Sequence, residues 1–276
     1  MATPSRTTDD APAPPPDPIP PPTVAQPSGD GTPAKPAARV FFGVDETGAL
    51  VRFSEDDPSK VETKTLVGLA PNERVIGIDY RPSNGKLYAL GSSSRLYVVD
   101  EASGTAVAIG DKPFTPALSG ESFGFDFDPA SDGARVHSDV DQDMVLDPDL
   151  GTVAGVDPQL FFAEDDANAG QHVNVVGTAY TSGPLSSLFA IDSTRDLLLG
   201  LPDAYSGRAR TIGALGVDTS EAAGFDITPE GTAYAALRTK DATGLYTIDL
   251  STGAAKLVGN IGVTTGLHGL AIQPTK

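Results

Sequence analysis

The sequence predicts an all-β fold: a five-bladed β-propeller whose last blade is shared between the N- and C-terminal strands. Three observations predict it. One phrase recurs along the chain. Its recurrences lie about 48 residues apart. The two ends of the ordered chain each carry part of a unit that neither completes alone.

The phrase runs Gly, apolar, Asp, apolar, any residue, Pro, a turn with Gly, then a strand. It is written as "VIGIDYRPSNGKLYAL" (75–90), "SFGFDFDPASDGARVH" (122–137) and "AAGFDITPEGTAYAAL" (222–237). A degraded form is "NVVGTAYTSGPLSSLF" (174–189), and half of it closes the chain as "LHGLAIQP" (267–274). The aligned glycines Gly77, Gly124, Gly177, Gly224 and Gly269 are spaced by 47, 53, 47 and 45 residues. Strand alternation without a helical period marks these units as sheets. After the phrase, each complete unit continues with two strands around an Asp/Ser/Gly turn, as in "RLYVVDEASGTAVAIG" (95–110) and "GLYTIDLSTGAAKLVG" (244–259). A unit is therefore four strands.

The ends complete the count. "VFFGVDETGALVRFSEDDPSKVETKTLVG" (40–68) has three strands and no inner one, while Leu267–Pro274 is an inner strand without its other three. Joined, they make a fifth blade and close the ring, which removes the inner sheet edges.

Composition narrows the function. The chain has 276 residues, no Cys, no Trp and a formal net charge of −18. A surface this acidic repels nucleic acid and anionic lipid, so neither is an expected partner. It leaves carboxylates available to hard cations. No apolar run reaches the ~20 residues of a membrane helix. Residues 1–38 hold 12 of the 24 prolines and no aromatic residue. Such a segment cannot bury enough apolar surface to order itself. The expected organisation is a disordered Pro-rich tether, 1–38, and a propeller domain, 39–276. A tether before a β domain fits an extracytoplasmic protein held at or near a surface, and a monomer.

The phrases "GIDYRPSNGKLYALGSSSRLYVVD", "PFTPALSGESFGFDFDP", "GFDITPEGTAYAAL" and "GLYTIDLSTGAAKLVGNIG" together resemble a bacterial family known as domain of unknown function 4394. The resemblance spans roughly residues 40–274. It implies an exported β-propeller-like domain and no activity. One departure is "SDVDQDMVLDPD" (138–149), more acidic than the family pattern, with Val145 where that pattern has an Arg.

Four groups of residues could carry chemistry. The inner-strand aspartates Asp79, Asp126 and Asp226 would meet in the channel if they point inward, and could then hold a divalent metal, with calcium the expected ion. Alternatively each accepts backbone N–H bonds from its own turn or the next blade. As locks in separate blades, their effects would add. Asp139, Asp141 and Asp143 imitate the start of a calcium loop. Met144 and Leu150 then stand where that loop needs Gly and Glu, so this is no EF-hand. "FFAEDDANAGQH" (161–172) reads as an insertion loop between units, with Glu164, Asp165, Asp166 and His172 as candidate ligand contacts. His268 precedes the last aligned glycine and belongs at the channel mouth. No two histidines have a zinc spacing, and no nucleophile motif is present. The expected function is a non-catalytic module that binds a protein, glycan or small ligand on one face of the ring. The alternative is a divalent-cation-dependent hydrolase or lyase with an acidic channel.

Overall fold

The computed structural model describes Met1 and residues 38–275 apart from 184. The expected Pro-rich tether lies, but for its end residues, outside the described residues. The rest is β-structure throughout.

Blade 1 opens with β1 (Val40–Asp45), β2 (Ala49–Ser54) and β3 (Asp57–Thr65). Blade 2 is β4 (Val75–Arg81), β5 (Lys86–Gly91), β6 (Arg95–Asp100) and β7 (Thr105–Ile109). Blade 3 is β8 (Phe123–Phe127), β9 (Ala134–Ser138), β10 (Asp143–Asp147) and β11 (Thr152–Val156). A two-residue strand, β12 (Phe161–Phe162), precedes blade 4, which is β13 (Val175–Tyr180), β14 (Leu188–Asp192), β15 (Leu197–Leu201) and β16 (Arg208–Ala214). Blade 5 is β17 (Ala223–Ile227), β18 (Ala233–Arg238), β19 (Thr243–Ile248) and β20 (Ala255–Asn260), and the chain ends with β21 (Leu267–Ile272).

Each blade is an antiparallel meander, and β21 completes blade 1 in the order β21-β1-β2-β3. Its register pairs Phe41 with Ile272 and Asp45 with Leu267, so the two ends of the domain close the ring. The insertion 161–172 holds one element the sequence did not announce. β12 adds to the outer edge of blade 4, parallel to β16, with Phe161 opposite Arg208 and Phe162 opposite Ala209.

The inner strands β4, β8, β13 and β17 are buried at every residue. They read as near-continuous apolar runs because a neighbouring blade covers each face. The outer strands β3, β11 and β20 are largely exposed. The aligned glycines explain themselves here. A Cβ on Gly77 would lie 2.7 Å from the Cβ of Phe125 in blade 3, and one on Gly224 would overlap the Gly269 backbone in blade 1. Inner strands of neighbouring blades approach too closely for a side chain at that level.

Packing between blades is mostly apolar. One cluster joins blades 1 and 2 through Phe42, Val44, Ile78 and Tyr80; others join blades 2 and 3, 4 and 5, and 5 and 1. The boundary of blades 3 and 4 differs. Arg135, only 1 % exposed, sits opposite Asp126, where blades 2 and 5 place Tyr88 and Tyr234. It is paired with Asp143 and Asp157 and bonded to the Tyr180 hydroxyl at 2.9 Å. His137, fully buried beside it, contacts Thr178 Oγ1 through Nδ1 at 3.0 Å.

Candidate functional site

The inner strands all start at the same end of the channel. At that end lies a cavity of about 1080 Å³. Its walls come from every blade. Blade 1 gives the turn Asp45–Gly48 and His268; the entry to blade 2 gives Glu73 and Arg74; the entry to blade 3 gives Glu121 and Ser122. Blade 4 gives Ser193 and Thr194, and the entry to blade 5 gives Asp218–Ala222. The lining includes no Phe, Tyr or Trp side chain.

Six carboxylates border this funnel: Asp45, Glu46, Glu73, Glu121, Asp218 and Glu221, against the Arg74 guanidinium and the His268 imidazole. Three are occupied by the fold. Asp45 Oδ1 accepts the Thr47 N–H (2.9 Å), the Thr47 hydroxyl (2.6 Å) and the Ala49 N–H (3.0 Å). Glu46 accepts the Gly266 N–H at 3.2 Å. Glu73 accepts the Ser93 N–H (2.6 Å), the Ser92 hydroxyl (3.3 Å) and the Tyr97 hydroxyl (3.0 Å), as well as the Ser93 hydroxyl. The side chains of Glu121, Asp218 and Glu221 are exposed and, among the described residues, have no hydrogen-bond or ion-pair partner. Ser122 is only 6 % exposed, and its hydroxyl likewise has no partner among them. Burial holds the His268 imidazole below its ordinary range, which favours the neutral ring; the nearby Arg74 adds to that and Glu46 opposes it.

The inner-strand aspartates lie toward the other end of the same strands. Asp79 accepts the Tyr80 N–H (2.7 Å) and, across the blade boundary, the Phe127 N–H (3.0 Å). Asp126 accepts the Tyr180 N–H of blade 4 at 3.0 Å. Asp226 accepts the Ile227 N–H and the Ile272 N–H of blade 1, both at 2.6 Å. Each carboxyl thus fastens its inner strand to the next one. The boundaries that begin at Ala179 and Ala271 lack the bond. Burial raises all three carboxyls far above the ordinary carboxylate range, Asp79 to about 7. The backbone donors oppose that rise. Asp79 and Asp126 act on each other: the Asp79 charge adds to the rise at Asp126. Asp79 and Asp226 also act on each other's charge. These charge effects between the three carboxyls stand against the expectation of independent, additive locks. Among the described residues no group of three or more His, Asp or Glu side chains has the geometry to hold a metal.

The other sequence candidates separate. Asp139 accepts the Glu121 N–H, Asp141 meets the His172 imidazole at 2.8 Å, and Asp143 pairs with Arg135. In the insertion, Asp165 pairs with Arg210 (2.8 Å), and Asp166 accepts the Thr211 N–H (2.7 Å). His172 Nε2 reaches the Asp139 carbonyl at 2.7 Å. Glu164 is exposed. None of Glu164, Asp165, Asp166 and His172 lines the funnel, whereas His268 does. Sequence reasoning missed Glu121, Ser122, Asp218 and Glu221. A signal was present: Glu73, Glu121 and Glu221 stand four, three and three residues before the aligned glycine, in the same three units that carry the aspartate after it.

Fold and site define a five-bladed β-propeller with an open acidic funnel at one mouth and buried carboxyls deeper in its ring. The chain belongs to the family described as Domain of unknown function (DUF4394), whose model matches residues 49–271. A search of curated proteins gave no match. Solved structures share the fold at low identity. A chain of a nidogen/laminin complex is 14 % identical, with a TM-score of 0.50 over 87 % of this chain and 100 % of that one. A protein of unknown function from Bacteroides thetaiotaomicron is 15 % identical, with a TM-score of 0.52 over 84 % of this chain and 61 % of that one. No helix among the described residues is long and apolar enough to cross a membrane.

Proposed function

We propose that the protein is a binding module whose ligand sits in the funnel at the mouth of the ring. The observation that carries this is the cavity itself: about 1080 Å³, walled by all five blades, with polar side chains that the fold leaves without partners. Propeller loops gathered at one mouth can present a site while the sheets behind them hold it rigid. The Pro-rich composition of residues 1–38 supports an extracytoplasmic module on a tether. Cell fractionation that finds the protein with cytoplasmic markers would overturn that placement.

The chain has no Cys, so a single introduced thiol can be labelled cleanly. Thr194 is an exposed funnel residue, and Glu62 lies on the outer strand β3. An environment-sensitive dye on Thr194→Cys should respond saturably to one class in a panel of polyamines, neutral and acidic oligosaccharides and basic peptides. The same dye on Glu62→Cys should not. Silence across the panel, or equal responses at both positions, rejects the funnel as the binding site.

A further inference from the structure

We infer that the funnel takes a ligand bearing primary or secondary ammonium groups, either a linear polyamine or the lysine side chains of a basic peptide. The inference rests on the funnel being the binding site, and names what it binds.

Four observations point the same way. The first is sign: the six carboxylates outnumber Arg74 and His268, so the field in the funnel attracts cations and repels phosphates and acidic sugars. The second is availability. Asp45, Glu46 and Glu73 are used by the fold, but Glu121 from the entry to blade 3 and Asp218 and Glu221 from the entry to blade 5 are not. These free acceptors enter from two separate blades, which suits a ligand with more than one positive centre. The third is Ser122. The residue is only 6 % exposed, lines the cavity, and its hydroxyl has no partner among the described residues. A hydroxyl so placed can accept a hydrogen bond from a bound N–H. The fourth is the lack of Phe, Tyr and Trp in the lining. Sugar rings have no stacking platform there, and a quaternary ammonium has no π-cage. The cation that fits is one that donates hydrogen bonds to carboxylates and hydroxyls.

The test uses spermidine, tetralysine, tetramethylammonium and calcium as probes, read by calorimetry on the unlabelled protein and by the dye on Thr194→Cys. Spermidine is expected to bind saturably and to weaken severalfold between 50 and 200 mM salt, as screened ion pairs do. The triple variant Glu121→Gln/Asp218→Asn/Glu221→Gln should bind about tenfold or more weakly, and Ser122→Ala about fivefold more weakly. Glu62→Gln, whose carboxylate pairs with Arg52 on the outer edge, should bind as the wild type does. Tetramethylammonium and calcium at matched ionic strength should not compete. Tighter binding of tetralysine than of spermidine would uphold the inference with a basic peptide as the source; the reverse order would uphold it with a free polyamine. Equal competition by tetramethylammonium or calcium would overturn it, as would full affinity in the triple variant. If a neutral or acidic oligosaccharide saturates the dye while spermidine does not, the ligand class falls and the funnel stands. If no probe moves the dye, both fall.

Discussion

Blades 2, 3 and 5 each carry one acidic residue before the inner-strand glycine and one after it, and the two sets behave in opposite ways. Asp79, Asp126 and Asp226 follow the glycine by two residues and are at most 9 % exposed; each accepts an N–H from the next blade. Glu73, Glu121 and Glu221 precede it and stand in the funnel wall. Glu73 is absorbed by Ser92, Ser93 and Tyr97, while the carboxylates of Glu121 and Glu221 have no bonding partner among the described residues. A few residues of strand thus separate carboxyls that hold the ring from carboxyls left for a ligand. The difference teaches that burial beside backbone donors, and not acidity, assigns the role.

The most severe way to break the holding set is to remove the strand that one of its members grips. Deleting 266–276 removes β21, the Ile272 N–H that Asp226 uses, and the inner strand of blade 1. A thermal melt followed by circular dichroism should then show no cooperative transition. A truncated chain that melts cooperatively near the full-length temperature would contradict ring closure as the source of stability.

A gentler break is Asp226→Asn, which weakens a bond of 2.6 Å to the neighbouring blade and should lower stability by about 1–3 kcal/mol in urea titrations. Because Asp79 acts on both other carboxyls, the losses for Asp79→Asn and Asp126→Asn should not sum in the double variant. Simple additivity would show that the carboxyls are independent after all. Adding calcium or chelator should shift neither variant's melting relative to wild type.

The two sets should also part with pH. A buried carboxyl whose folded pKa is raised binds its proton more tightly when folded. Its stabilisation is complete below the unfolded carboxylate range, near 4, and is lost as pH rises through the folded value, about 7 for Asp79. The melting temperature should therefore fall between pH 5 and pH 8, and Asp79→Asn should flatten that fall. His268, lowered by burial, contributes the opposite slope on the acid side, so the comparison with the variant isolates the aspartate. A wild-type melting temperature that climbs over this range, with the variant parallel to it, would refute the assignment.

The smallest expected effect belongs to the ligand set. Glu121→Gln/Asp218→Asn/Glu221→Gln removes no bond within the described protein and should change stability by no more than about 0.5 kcal/mol in the same urea titration. A large loss would move these residues into the holding set and undercut the funnel as a site.

The repeat phrase by itself determined the number of blades, the strand order and the velcro joining Val40–Asp45 to Leu267–Ile272, because each is a matter of local pattern and arithmetic. Strand alternation, glycine spacing and hairpin turns are written residue by residue, and they add up to a ring wherever they occur. The aligned phrase also placed the aspartates at one level of the inner strands. It could not say whether they meet a metal or a backbone donor, since the N–H groups of Phe127, Tyr180 and Ile272 come from strands some 46 to 54 residues away. The insertion 161–172 looked like site material because it is acidic, yet Asp165 and Asp166 find Arg210 and Thr211 about 45 residues on, and His172 ties back to blade 3. The aligned phrases already put Arg135 in the column of Tyr88, but nothing local announced that it would gather Asp143 and Asp157 around it at the blade 3–4 boundary. The funnel is the extreme case. Its wall joins residues from five blades, from Asp45 to His268, that become neighbours only when the ring closes. Which carboxylates are consumed and which stay free depends on partners distant in sequence, and that pairing is fixed by tertiary structure alone.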